Sequence, residues 1–292
     1  MQGSTRVRAA LAVAGIASLV LASSLTAGAA TTKVNAAAAK LVPAAYKHIT
    51  LQVATDATYP PDEFMQGTKM VGFDIDLMNA LAATLGIKIK ENSVTFDNIL
   101  AGIKSGRYQI GNSSFTDNKA REKTNNFVDY FQAGEGVYAS SKSKVTFKGL
   151  KSFCGLTVAV ETGTSEQSDA QATAKTCPAN KKVTVRTFAT QTAANLAVSS
   201  GQAAVGFVDS QVAGYIVSQS HGKFKLVGNA VNVAPYGIAT AKSPSGHGLA
   251  IALRAALKVL EANGTYKSIL THWGVQAGAI PASRMILNGA TS

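Results

Sequence analysis

Cysteine is scarce in this chain: 292 residues contain two, Cys154 and Cys177. Neither is near the N-terminus, so a lipid anchor on an N-terminal cysteine is not expected. The four histidines, His48, His221, His247 and His272, are too scattered for ligand spacing, and a metal site is not expected. Charged residues are 15% against 46% hydrophobic, a balance that favours a packed core over disorder. Beyond residue 25 there is no apolar run long enough to cross a bilayer. The net charge is +12, yet the lysines form no run interleaved with aromatics, which argues against nucleic acid. No Ser–His–Asp, Cys–His or metal constellation is visible.

What is present begins with an export signal. Arg6 and Arg8 precede an apolar stretch at 9–25, and Ala27-Gly28-Ala29 fits a small-x-small cleavage site. Residues 1–30 read as a signal peptide rather than a membrane anchor, because the run is short and diluted by Ser and Gly. A second small-residue stretch at 36–39 leaves the cut open. Removing the signal leaves 12 − 2 = +10, read as solubility and surface attraction. Residues 31–46, rich in alanine, read as a tether. Export places Cys154 and Cys177 in an oxidising compartment where an even pair is usually joined; the alternative is two buried thiols.

The chain then alternates strand and helix. Residues 49–54 read as a strand ending in TDATYPPDEF, where Pro60 and Pro61 force a turn. Phe73, Leu77, Ala80, Leu81 and Thr84 share a helical face that stops at Gly86. Phe96, Ile99, Leu100 and Ile103 repeat the pattern, with Gly106 as terminator. A strand at 108–112 leads into SSFTDNKAR, residues 113–121, which combines hydroxyls with a lone Arg121. Such a loop at a strand end can hold a small carboxylate, since a guanidinium matches it with two parallel bonds. Taken alone, the same residues also suit a polar turn before a solvated helix.

A second α/β unit runs from residue 153 to about 230, bracketed by extended stretches at 127–143 and 231–240. Two crossing strands between two lobes make a hinge with a cleft. The lobes are expected at 47–139 with 237–292, and at 140–236. Ligands in open α/β sheets bind beyond the carboxyl ends of strands. That rule selects Asp56 and Tyr59, the loop from Ser113 to Arg121, the segment containing Thr164 and Ser165, and Asp209.

At this point the residues carry a likeness. In order, VATDATYPP, VGFDIDL, FDNILAGIKSGRYQIG, SSFTDNKAREK, FVDYF, VAVETGTSEQ, AAVGFVDS and NGTYKSILTHWGV span roughly residues 47–280. The chain resembles the periplasmic polar amino-acid-binding proteins of ABC importers, solute-binding protein family 3. The resemblance implies a two-lobed, type II periplasmic-binding-protein-like α/β fold that closes on a free amino acid. It implies that Arg121 grips the α-carboxylate with donors around Thr116, Thr164 and Ser165. Asp209 would meet the α-ammonium, helped by Ser113 and Ser114. Tyr59 and Phe96 would flank the side chain, and Asp56 and Glu161 would sense it.

Two positions depart from the family pattern. Asp62 follows the double proline where an aromatic is common, which puts Phe64 in doubt as a wall. Glu161 stands where relatives frequently carry a neutral residue, and an acid there would favour arginine, lysine or ornithine; the alternative is that it faces solvent or a lysine. The implied partners are an amino acid and an ABC permease, with no cofactor, no nucleic acid and a monomeric chain. The competing reading is a cyclohexadienyl or prephenate-type dehydratase on the same fold, recruiting Glu161 or Glu135 as the acid. Asp209 argues against it, because a prephenate-like substrate need carry no ammonium.

Overall fold

The computed structural model describes residues 33–290, so the expected signal at residues 1–30 lies outside the described residues. The stretch expected as a tether is partly folded. Helix α1 (Ala36–Lys40) is capped by Asn35, whose Oδ1 accepts from Ala38 N at 3.0 Å. Ala38 and Val42 are buried in the main core, so this stretch packs closely instead of forming a free spacer.

Strand β1 (Thr50–Thr55) is followed by three short strands, β2 (Thr58–Tyr59), β3 (Glu63–Gln66) and β4 (Lys69–Val71), in a separate antiparallel sheet. The sequence reading saw only a proline turn here. Helix α2 (Phe73–Leu85) buries Phe73, Leu77, Met78, Leu81 and Leu85, and Gly86 ends it in the left-handed region at φ +66°. At its start, Gly72 lies so close to the 61–63 loop that a Cβ would sit 2.0 Å from the Asp62 carbonyl oxygen. That contact lets Phe73 N and Asp74 N donate to Pro61 O and Asp62 O, at 3.2 and 3.0 Å. The helix N-terminus thus holds the Asp62-Glu63 turn in place.

Next come β5 (Lys88–Ser93), α3 (Phe96–Lys104), the two-residue β6 (Ile110–Gly111), α4 (Lys119–Glu122) and the long β7 (Asn125–Ser140). The second half contains β8 (Thr157–Glu161), α5 (Ser165–Thr176), β9 (Thr184–Phe188), α6 (Gln191–Ser199), β10 (Val205–Asp209), α7 (Ser210–Gln219) and β11 (Phe224–Leu226). Strand β12 (Val231–Ala241) returns to the first half, which α8 (Pro244–Ala262) and α9 (Thr265–His272) complete. Thr164, Thr190 and Ser243 cap α5, α6 and α8 through their hydroxyls.

The main sheet runs β5-β1-β6-β12-β7-β10-β8-β9, with β11 added to β7. Strands β5, β1 and β6 are parallel in one half, and β10, β8 and β9 in the other. Between them β7 and β12 pair antiparallel. Ala133 of β7 pairs with Ala234 of β12, and Glu135 pairs both with Val231 of β12 and with Asp209 of β10. Both long strands therefore pass from one half to the other, as the two extended stretches in the sequence suggested. Register shifts at Val231/Ala234 and Tyr236/Gly237 loosen the ladder where they cross.

Each half has apolar layers on both faces of its sheet. In the first, Leu51, Phe73, Leu253 and Leu257 lie in one cluster, and Ile99, Ile103, Phe115 and Phe127 in another. In the second, Ala194, Val198 and Val212 face one way, and Phe153, Val158 and Phe207 the other. The latter is braced by the Cys154–Cys177 disulfide, with Cα atoms 5.6 Å apart and a sequence separation of 23. Closing a loop of that length restricts the unfolded chain by about 3 kcal/mol. The Cys154→Ser, Cys177→Ser double variant is expected to lose about that much in a denaturant titration; an unchanged midpoint would show that the bridge adds nothing.

Candidate functional site

The carboxyl ends of the parallel strands in both halves meet at one nearly closed cavity of about 10 Å³. Asp56, Tyr59, Phe96, Ser113, Ser114, Thr116 and Arg121 line it from the first half, and Glu161, Thr164, Ser165 and Asp209 from the second. Arg121 and Asp209 therefore face one space from opposite sides. Glu63 joins them.

Arg121 sits on α4, whose cap Asn118 accepts from Arg121 N at 2.9 Å. Its Nη1 donates to Thr116 O at 2.8 Å, and its Nη2 crosses to Gly163 O at 3.0 Å. Gly163 adopts φ +85° in the β8–α5 loop, a conformation natural to glycine, and so turns its carbonyl to the guanidinium. The guanidinium carbon also lies 5.4 and 5.3 Å from the ring centroids of Phe96 and Phe115, which stack at 4.5 Å. These contacts orient the fork and leave further N–H groups for a guest.

Asp209 ends β10 and accepts from Tyr59 Oη at 2.6 Å, a bond between the halves. Burial raises its carboxyl to about 6, while hydrogen bonds from Tyr59 and Tyr236 and the charge of Arg121 oppose the rise. Asp56 is held by Thr58 N at 3.1 Å and Phe96 N at 2.9 Å, one on each oxygen. Its carboxyl is raised, chiefly by burial. Glu161 is 2% exposed, and burial followed by the neighbouring Asp56 charge lifts it to about 9. It faces the cavity, not solvent or a lysine.

The hydroxyl loop is heavily engaged. Ser113 Oγ accepts from Asp56 N at 2.9 Å and donates to Glu63 Oε1 at 2.7 Å. Ser114, at φ +48°, donates its N–H to Asp74 Oδ2 and its hydroxyl to Asp62 Oδ2, both at 2.9 Å. That buried acid network holds a strained serine in place. Thr164 Oγ1 is committed to Glu161 O and Gln167 N, whereas the buried Ser165 Oγ has no partner among the described residues. Phe64 lies outside the cavity, 5.8 Å from the Trp273 ring and 6.1 Å from that of Tyr215.

The lining carries four carboxyl groups, Asp56, Glu63, Glu161 and Asp209, against one guanidinium, Arg121. A guest with a carboxylate and two cationic groups would balance that set far better than a neutral zwitterion. Among the described residues no group of three or more His, Cys, Asp or Glu side chains is arranged to hold a metal ion.

A family model of the bacterial extracellular solute-binding proteins, family 3, matches residues 51–276. The chain belongs to this family. The Arginine-binding protein ArgT of Corynebacterium glutamicum is 30% identical to this solute-binding protein over 234 residues, covering 79% of this chain and 76% of that one. A solved ancestral arginine-binding protein bound to arginine aligns with TM-score 0.71 and 31% identity, over 78% of this chain and 99% of that one. The ancestral amino acid-binding protein AncCDT-1, a precursor of cyclohexadienyl dehydratase, aligns at TM-score 0.69 and 29% identity, over 77% and 95%. These neighbours share the two-lobed architecture. Among the described residues of the solute-binding protein, no helix is long and apolar enough to cross a membrane.

Glu63 escaped the sequence reading of this solute-binding protein. Its one signal in the sequence is its place as the second of two acids directly after Pro60-Pro61. Asp62 itself is fully buried and accepts from Gln211 Nε2 at 2.7 Å, a further bond between the halves. Glu135, a candidate acid for the dehydratase reading, lies in an adjoining groove and accepts from Asn232 Nδ2 at 2.7 Å.

Proposed function

We propose that this solute-binding protein takes up a free amino acid with a cationic side chain, arginine foremost, and delivers it to an ABC permease. The observation that carries the reading is one cavity with Arg121 from one half, Asp209 from the other and an excess of acids in its lining. In this reading Arg121 and the Ser165 hydroxyl meet the α-carboxylate, and Asp209 meets the α-ammonium. Tyr59 and Phe96 flank the aliphatic stem, and Asp56 and Glu161 face the distal cation. The arginine-binding relatives support the choice of side chain.

Bonds between the halves, Tyr59 to Asp209 and Arg121 to Gly163, support a closing motion in which guest and protein share the same donors and acceptors. We assign the chain to export through residues 1–30, to the cell envelope, and to a monomeric, non-enzymatic role. Calorimetry with arginine, lysine, ornithine and glutamine tests the reading. Saturable binding is expected, strongest for a cationic side chain and without turnover. Silence with every amino acid, or product formation from prephenate, would overturn it; the latter would support the dehydratase.

A further inference from the structure

Asp56 and Glu161 approach each other from opposite halves, and their carboxyl groups lie within hydrogen-bonding reach. Asp56 already accepts one backbone N–H on each oxygen. Glu161 Oε1 is buried and has no donor among the described residues. Two carboxylates can only accept, so their contact needs a proton between them, and that proton supplies the missing donor. Arg121 is turned to Thr116 O, Gly163 O and two rings, and does not serve this pair.

We propose that the side-chain end of the cleft exchanges a proton for a cation: Asp56 and Glu161 hold one proton between them, and an incoming guanidinium or ammonium side chain replaces it and releases it to solvent. The charges balance. The pair goes from one negative charge to two, the guest contributes one positive charge, and one proton leaves. This rests on the reading above that the guest's side chain lies between Asp56 and Glu161. It makes Glu161 a specificity-determining residue, because a neutral polar side chain has no charge with which to displace the proton.

Other groups bear on the same proton. Asp97 on α3 adds repulsion, and the Gln191 backbone N–H on α6 favours the ionised Glu161. Asp209, with its value of about 6, exchanges protons in a lower range. Burial also raises Glu63 of the same cavity and Glu166 beside Asp209 well above the ordinary glutamate value. The loss of release in a variant of the pair, not the pH range, therefore assigns the proton. The pair itself stays protonated at pH 7 to 8, in line with the rise of Glu161 to about 9.

The test is calorimetry of arginine binding at pH 7 in phosphate, HEPES and Tris, whose ionisation enthalpies differ. The slope against buffer enthalpy is expected to give about one proton released per arginine, and affinity should rise about tenfold from pH 7 to 8. In Glu161→Gln the release is expected to fall to near zero. If that variant does not bind, Asp56→Asn, which removes the other acid of the pair, is read in its place, and release that persists in it overturns the exchange. Arginine binding with no proton release, or undiminished release in Glu161→Gln, would overturn the exchange while leaving the functional reading intact. No heat with any amino acid would overturn both.

Discussion

Arg121→Ala is expected to lower arginine affinity by about 2–5 kcal/mol, roughly thirty- to several-thousand-fold, in calorimetry at neutral pH. The guanidinium has five N–H donors in a rigid fork. Two are fixed by Thr116 O and Gly163 O, one carbonyl from each half, and two aromatic faces hold the plane. Alanine would leave a guest carboxylate desolvated with no cation, and would also remove a bond that joins the halves. Arg121→Lys keeps the charge but not the fork, and is expected to recover only part of the loss. Binding by Arg121→Ala within threefold of the parent would refute the carboxylate role.

The second large effect is expected at Asp209. Asp209→Asn removes the only cavity-lining carboxylate that accepts directly from Tyr59 Oη, and the guest ammonium loses its counter-charge. The expected loss is again about 2–5 kcal/mol. Stability should behave differently. Its folded value, about 6, lies above the roughly 3.9 of an unfolded aspartate. The stabilising protonated form is complete below the unfolded value and is lost as pH rises through about 6. At pH 7 the ionised Asp209 therefore costs the fold. The unfolding temperature of Asp209→Asn should match or exceed the parent's while binding is lost. A variant that binds normally would remove Asp209 from the site, and one that both melts early and binds weakly would point to a structural role.

Much of the architecture was legible because it depends on local patterns. The spacing of Phe96, Ile99 and Ile103 makes an apolar helix face in any context, and Gly86 and Gly106 supply the left-handed positions that end helices. Residues at the carboxyl ends of parallel strands converge because parallel connections force them to. That rule brought Asp56, Arg121, Glu161 and Asp209 to one cavity from four separate segments.

The elements that were missed depend on partners distant in sequence. The strands β2 to β4 are two to four residues long and exist by pairing with each other, with no periodicity to reveal them. Ala38 and Val42 are buried only because α1 meets the core of the first half, and an alanine-rich stretch reads the same whether it packs or hangs free. Glu63 faces the cavity because Gly72 lets the 61–63 turn press against the start of α2. For this protein the order of residues alone determined the two α/β units, the crossing strands and the placing of Arg121 and Asp209 at strand ends that meet. Only the tertiary structure decided which acids face each other across it, because the contact of Asp56 with Glu161 depends on how two halves close, a distance that no local pattern encodes.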